Sequence, residues 1–474
     1  MSASQISQLA SLISDSVATL ERLTLESQTS IPDLNSFGFD PSSEAFRSAP
    51  GVAEAVKVAA AACMQLAAVL LPPTDSLYKL ALGEHHSFAV RTCLEANVTE
   101  ILREAGPEGL HVNEIAAKCG LDPSKLGRIM RYLVIHHIYR EVKPYVFTNN
   151  RISGTLDTGK PSKEIFSDPE SKYESTGFPA LISHHLDLDH KCSAIAWDVL
   201  KDPVLGHSNE ITDTIFSKGL NTDTTYWKFF QQPDNLFRHR RFGYAMKGMG
   251  AIQSPDLVFK AFDWNSLKPD STVVDVGGGI GVTISPLAER YPDLNIVIQD
   301  LPIVVEEGKK FWSQKYPHAL SSNRVKLQAQ DFFDVQPVKN ASVFFLKHIL
   351  HNWPKPYMAK ILRRLREAAT PETTLIVIDN VLPYACRRSS DSETLSDNGG
   401  TYYKEAPEPL LPNYGAVSNS PYTLDLTMMF YFNAQEHTVL GLQSLLESTG
   451  WRLIKFHSVD PKNDFLQSVE AVPL

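Results

Sequence analysis

The stretch that most constrains this chain is VVDVGGGIGVTISPLAERYPDLNIVIQD, residues 273–300. It opens on a β-rich run, Val273-Val274-Asp275-Val276, and turns through Gly277, Gly278, Gly279 and Gly281. A helical segment then ends near Arg290, where Pro292 stops it. A second β-rich run, Ile296, Val297 and Ile298, delivers Asp300. Strand, glycine turn, helix, strand and acid form the nucleotide-binding half of an α/β sheet. The glycines admit positive φ and a close backbone approach to a ligand. The helix N-terminus offers unpaired N–H groups to an anion, and an acid ending the second strand can accept hydrogen bonds from a ribose. Val282 stands where the last glycine of G-x-G-x-x-G belongs, and no P-loop Lys-Ser/Thr follows. On these residues alone, a tight turn in an α/β sheet without a ligand is the alternative.

Downstream, strands and helices keep alternating. Val325-Lys326-Leu327 leads to Asp331 and Phe332, Val343–Lys347 reads as a buried strand, a helix covers 355–369, and a further strand covers 374–378. This predicts a parallel, doubly wound sheet with ligands at the carboxyl ends of its strands. Asp300, Asp331, His351 and Asp379 are placed just past strand ends along one crevice.

Upstream, apolar positions at helical spacing predict a helix over residues 3–26. The most apolar segment, 52–71, has a charge-free part that ends at Pro72-Pro73 and is shorter than the roughly 20 residues of a bilayer span. A buried or interface helix is expected there, and no membrane partner. Residues 87–150 read as a winged helix: a helix over 87–104, Asn113 capping a helix from Glu114 to Cys119, Gly120 ending it, Pro123 starting the next, and two wing strands at 139–142 and 145–148. Such a module invites a DNA-binding reading. Its second helix, however, carries only Lys125, Arg128 and Arg131, in a chain of net charge −9, so nucleic acid is not expected as a partner.

SHHLDLDH, residues 183–190, offers His184 with Asp187 and His185 with Asp189 at helical spacing. Without a third ligand, a pocket-lining or solvated helix face is the better reading. The aromatic run from Thr225 to Met249 predicts core, or the floor of an aromatic pocket. Five cysteines without a C-x-x-C pair signal neither a disulfide framework nor a zinc site. No basic stretch followed by an apolar one opens the chain, and a cytoplasmic location is expected. Residues 385–420, rich in Ser, Asp, Glu, Pro and Gly, predict a mobile loop beside the crevice, either a lid or disordered.

Three segments make a more specific pattern: LKHILHNWPKPYMAKILRRLREA (346–368) with its His351-Asn352-Trp353 triplet, IDNVLP (378–383) and NAQEHT (433–438). Together they resemble the plant-type and fungal small-molecule O-methyltransferases, from about residue 87 onward. The long loop before Asn413-Tyr414-Gly415 resembles the fungal branch. The resemblance implies an α/β Rossmann-like domain dependent on S-adenosylmethionine (SAM), preceded by a mostly helical winged-helix dimerisation domain, in a homodimer. It divides the chain into N-terminal helices (1–86) at a possible dimer interface, the winged helix (87–155), a helical connector lining the pocket (156–266) and the catalytic domain (267–474).

The resemblance also implies roles. Gly277, Gly278 and Gly279 meet the methionine end of SAM, Asp300 with Leu301 the ribose, Asp331 and Phe332 the adenine, and Lys347 the cofactor. Trp197, Phe242, Met249, Met428, Met429 and Asn433 line a pocket for a small, flat aromatic acceptor. His351 is the general base, with Asp379 and Glu436 to orient it. A phenol of pKa about 10 needs a base within reach, and histidine at about 6.5 suits that task without a metal. Two positions depart from the pattern: Asp379 stands where plant members usually have Glu, and Asn352 where Asp is common. A SAM-bound enzyme of pericyclic or decarboxylating chemistry is the alternative on the same fold. A ligand-responsive winged-helix regulator is the alternative from another class.

Overall fold

The computed structural model describes residues 4–174, 176–254, 256–387, 403–460 and 463–474. Helices α1 (Gln5–Glu26) and α2 (Val52–Leu70) pack on each other. Leu9 of α1 meets Val58, Ala61 and Ala62 of α2 in a core shared with Ala406, Leu410 and Tyr414. That last segment belongs to the stretch expected to be mobile. Residues 388–402 lie outside the described residues, but 403–417 is docked: Gln65 donates to the Pro409 carbonyl at 2.7 Å and Tyr414 to Glu54 at 3.0 Å. By length and composition α2 could span a bilayer, yet its inner face is occupied by these contacts.

Where one helix was expected over 87–104, there are two, α3 (Glu84–Glu95) and α4 (Val98–Ala105). Asn97 separates them in the left-handed conformation, φ 56°, which Asn tolerates better than most residues. Its side chain accepts from the buried Lys172 ammonium, a long-range contact invisible to local periodicity. Helix α5 (Val112–Cys119) is capped not by Asn113 but by His111, whose Nδ1 accepts the Asn113 N–H at 3.2 Å. Gly120 ends α5 at φ 73°, and Pro123 opens α6 (Pro123–Val134) behind an Asp122 cap. Strands β1 (Leu110–His111), β2 (Arg140–Lys143) and β3 (Val146–Thr148) make a small antiparallel sheet in the order β1-β3-β2.

Two helices then lead toward the site, α7 (Gly177–Leu200) and α8 (Leu236–Ile252). They cross at Gly177 and Gly248, where a Cβ on Gly177 would lie 2.1 Å from the Gly248 Cα. The SHHLDLDH segment sits on α7, but its acids do not wait for a metal. Asp187 is held by Arg91, Lys191, Arg238 and Arg241, His185 bonds Asp189 at 2.9 Å, and His184 Nε2 meets the Tyr226 hydroxyl at 2.9 Å.

The large sheet holds β4 (Thr272–Val276), β5 (Asn295–Asp300), β6 (Val325–Ala329), β7 (Val343–Lys347), β8 (Thr374–Asn380), β9 (Trp451–Asp460) and β10 (Asn463–Pro473), in the order β6-β5-β4-β7-β8-β10-β9. The first five are parallel. The last two were not anticipated and run antiparallel as an edge hairpin. Side-chain alternation puts Val274, Phe344, Leu346, Leu375 and Val377 on one face and Val273, Val343, Phe345, Ile376 and Ile378 on the other. Helices α10 (Lys355–Arg366) and α12 (Val439–Ser448) cover the first face through Met358, Leu362, Leu442 and Leu446. Ile284, Leu287 and Trp312 cover the second. Burial on both faces explains why these strands read as continuous apolar runs. Helix α9 starts only at Ser285 (Ser285–Arg290) rather than at the glycines. Gly277, Gly279 and Gly281 all have positive φ, and a right-handed helix cannot begin until the last of them is passed. Helix α11 (Asn419–Phe432) lies against the turn that carries His351.

Candidate active site

The site forms where the first five strands end. Gly279 donates its N–H to Asp300 Oδ2 at 2.8 Å, while Leu301 donates to Asp300 Oδ1 at 2.7 Å. The acid at the end of β5 thus closes the glycine turn after β4, and burial raises its pKa. Gly278 could carry no side chain: a Cβ would sit 2.3 Å from Asp275 Oδ2. Asp275 is itself buried, its Oδ2 is without a hydrogen-bond partner, and burial pushes it up to about 7. Phe332 approaches the same turn, 3.4 Å from where a Gly277 Cβ would lie, and stands edge-on to Trp353 with centroids 5.7 Å apart. Asp331 is exposed, its Oδ1 accepting the Phe333 N–H. Leu301 is 47% exposed. Lys347, the last residue of β7, is lowered to about 8 by burial, against the pull of Asp275 and Asp379. The expected cofactor residues therefore lie at or just after the carboxyl ends of neighbouring parallel strands. A buried, unpartnered carboxylate oxygen beneath an open glycine turn fits a ligand with polar groups to satisfy it.

His351 sits in the turn Leu350–Asn352 after β7 and is 7% exposed. Its Nδ1 lies 2.8 Å from Glu436 Oε1. Glu436 is 4% exposed, and its backbone N–H donates to Asp425 Oδ1 at 2.7 Å. The neighbouring residue, His437, bridges Val381 just past β8, which brings the NAQEHT segment beside IDNVLP. Burial alone opposes a charged imidazole, but the Glu436 charge and hydrogen bond outweigh it and raise the pKa of His351. With Nδ1–H given to a carboxylate, the neutral ring holds its lone pair on Nε2.

The second acid behaves differently. Asp379 lies within β8, not past its end. Its Oδ1 is buried without a hydrogen-bond partner and lies 3.7 Å from His348 Nδ1. Burial pushes Asp379 up to about 7. Of the two acids expected to orient His351, Glu436 bonds its ring, whereas Asp379 accepts from its backbone N–H. Asn352 fixes the turn by donating to the His348 carbonyl at 2.9 Å. His348, to which the sequence reading gave no role, stands next to His351 with ring centroids 5.2 Å apart. Its ring is held from the far side by Gln253, 3.1 Å from Nε2. Proximity in sequence to His351 was the one signal that marked it.

The expected pocket residues do not share one environment. Phe242 and Met428 join an aromatic core with Tyr226, Phe230, Tyr431 and Phe432, and Phe242 stacks on Phe230 at 5.6 Å. Met429 is half-buried on α11, and Met249 is partly exposed on α8. Trp197, expected in the wall, instead stands 72% exposed on α7. Asn433 offers no free amide: it caps α11 with φ 54° and donates to the Glu210 and Asp213 carbonyls.

Comparison with known proteins matches residues 197–399 to a family model described as an O-methyltransferase domain. The chain is 46% identical over 472 residues to 4-O-methyltransferase 1 of Phanerochaete chrysosporium, with 99% of each covered. It is 38% identical over 464 residues to an O-methyltransferase of Armillaria gallica, with 96% of each covered. Among solved structures it resembles the mitomycin 7-O-methyltransferase MmcR, with TM-score 0.59 and 19% identity over 85% of this chain and 98% of that one. It also resembles a pericyclic reaction enzyme, with TM-score 0.63 and 17% identity over 98% of this chain and 99% of that one. At such identities the two structures speak to the fold alone.

Proposed function

This chain belongs to the family of SAM-dependent O-methyltransferases, and we propose that its acceptor is a phenolic hydroxyl of a small aromatic or polyketide-like metabolite, with His351 as the base. The observation that carries this reading is the buried His351–Glu436 pair, 2.8 Å apart, at the end of a strand beside the glycine turn. When bound, SAM supplies the electrophilic methyl group. Gly277, Gly278, Gly279, Asp300 and Leu301 would hold it, with Asp331, Phe332 and Lys347 around them. His351 takes the phenol proton on Nε2, and Glu436 stabilises the imidazolium that results. The aromatic core containing Phe242 and Met428 supports a flat acceptor, since such surfaces bury rings well. Holding acceptor and cofactor together contributes up to ~7–11 kcal/mol in well-oriented cases.

The helices and small sheet of residues 84–148 support a winged-helix module, and Leu77 and Leu80 just before it with Phe88 and Ile135 within it, each more than half exposed, support burial of this region against a second copy. A homodimer acting in the cytoplasm, without nucleic acid, membrane or metal as a working partner, completes the reading. The test is release of S-adenosylhomocysteine across a panel of phenols, wild type beside His351→Ala, with SAM binding followed by calorimetry. Release by wild type that vanishes in the mutant with SAM still bound is expected. Product formed without S-adenosylhomocysteine would overturn methyl transfer in favour of the pericyclic or decarboxylating chemistry.

A further inference from the structure

We propose that His348, His351 and Asp379 form a binding site for a borderline divalent cation such as Zn²⁺, and that its occupation silences the enzyme by capturing the lone pair of His351. One ligating atom from each of the three residues lies within 4.8 Å of the other two. Tetrahedral zinc with bonds of about 2.0–2.1 Å spaces its ligands ~3.3 Å apart. The His348 Nδ1 to Asp379 Oδ1 separation of 3.7 Å is already near that spacing, and both atoms are buried without a hydrogen-bond partner.

The surroundings of the two histidines are those of metal ligands. A ligating histidine usually engages its second nitrogen with a carboxylate, amide or carbonyl, which fixes tautomer and ring orientation. Glu436 does this for His351 at Nδ1. Gln253 meets His348 at Nε2 through its amide nitrogen at 3.1 Å; exchanging that amide's nitrogen and oxygen would let the oxygen accept Nε2–H and leave the Nδ1 lone pair facing Asp379. Two imidazoles and one carboxylate suit zinc, cobalt or nickel rather than magnesium or calcium. Three protein ligands leave a fourth position for water. Lys347 lies close enough to feel the Asp379 charge, and its ammonium opposes a second cation. This site therefore fills when zinc is in excess, as an inhibitory site and not as the seat of a resident metal. No electron transfer is involved, and each ligand is deprotonated as zinc enters.

The experiment titrates chelator-treated full-length protein with Zn²⁺ by calorimetry, for wild type and His348→Asn, and repeats it with Co²⁺ to read the visible bands of a tetrahedral nitrogen–oxygen site. Asn is chosen because His348 has φ 53°, a left-handed conformation that Asn also adopts. We expect wild type to bind one Zn²⁺ per chain and to lose S-adenosylhomocysteine release in step, with chelator restoring it. His348→Asn should need about 10-fold or more zinc for binding and, measured against the variant's own metal-free turnover, for inhibition. Binding that is absent in wild type, unchanged in His348→Asn, or without tetrahedral cobalt bands would overturn the site, and a misfolded variant leaves the cobalt spectrum of wild type to decide. The binding arm needs no acceptor, so it stands apart from the methyltransferase reading; only the inhibition arm rests on that reading.

Discussion

Replacing Glu436 by Gln tests the division of labour between the two acids. In the structure Glu436 Oε1 lies 2.8 Å from His351 Nδ1, whereas Asp379 Oδ1 has no hydrogen-bond partner. A hydrogen bond to a charged group contributes about 1.5–3 kcal/mol. At about 1.36 kcal/mol per decade of rate, its loss from the imidazolium-like transition state slows kcat by ~10- to 150-fold. The carboxamide can also donate to Nδ1, which moves the ring proton to Nε2 and abolishes the base. A positioned general base contributes ~10²–10⁴-fold, so the loss can reach the upper end of that range. Asp379→Asn leaves the Glu436 bond to the His351 ring in place and keeps an oxygen that can accept the His351 backbone N–H, so it should lower kcat by less than about tenfold, one decade on the same scale. Both variants would be assayed for S-adenosylhomocysteine release at saturating SAM, with SAM affinity measured separately. If Asp379→Asn loses more than Glu436→Gln while both bind SAM, the orienting acid is Asp379 and the reasoning fails.

Because the Glu436 charge and bond outweigh burial and raise the pKa of His351, and the base must be neutral to act, wild-type kcat should fall as pH drops through a value above the ordinary ~6.5; in Glu436→Gln that acid limb should move to lower pH, read from a pH–rate profile. Gly278→Ala would force a Cβ to within 2.3 Å of the buried Asp275 carboxylate; overpacking of this kind destabilises by about 1–3 kcal/mol, and calorimetry should show SAM affinity falling with it. Asp187→Asn leaves Arg91, Lys191, Arg238 and Arg241 around a neutral group, a loss of ~3–5 kcal/mol by analogy with broken buried pairs, measurable by urea unfolding. Burial raises the pKa of Asp187, but the bonds from Arg238, Lys191 and Arg241 overcome it and hold the carboxyl below its ordinary range. Its stabilisation is therefore present above the ordinary carboxylate pKa and is lost as pH falls through the depressed value. The variant should accordingly lose less stability than wild type between neutral and acid pH.

The sequence by itself determined the parallel half of the sheet, because strands buried on both faces must be written as unbroken apolar runs. It also determined the glycine turn, because positive φ at Gly277 and Gly279 excludes most other residues. The family pattern around His351 was legible for a similar reason: the residues between β7 and α10 are contiguous in the chain. What only the tertiary structure decided depends on contacts between segments far apart. Asn97 breaks a helix that periodicity would continue, with Lys172 on its side chain. Asp187 gathers cations from α3, α7 and α8, a set that no local spacing announces. The segment 403–417 docks on α2 although its composition reads as mobile, because Ala406, Leu410 and Tyr414 find an apolar face presented by helices hundreds of residues earlier in the chain. The choice between Asp379 and Glu436 was beyond the sequence altogether. Both are carboxylates near one histidine, and hydrogen bonding is settled by tenths of an ångström, a distance set by how the 436–438 segment lies against the end of β8.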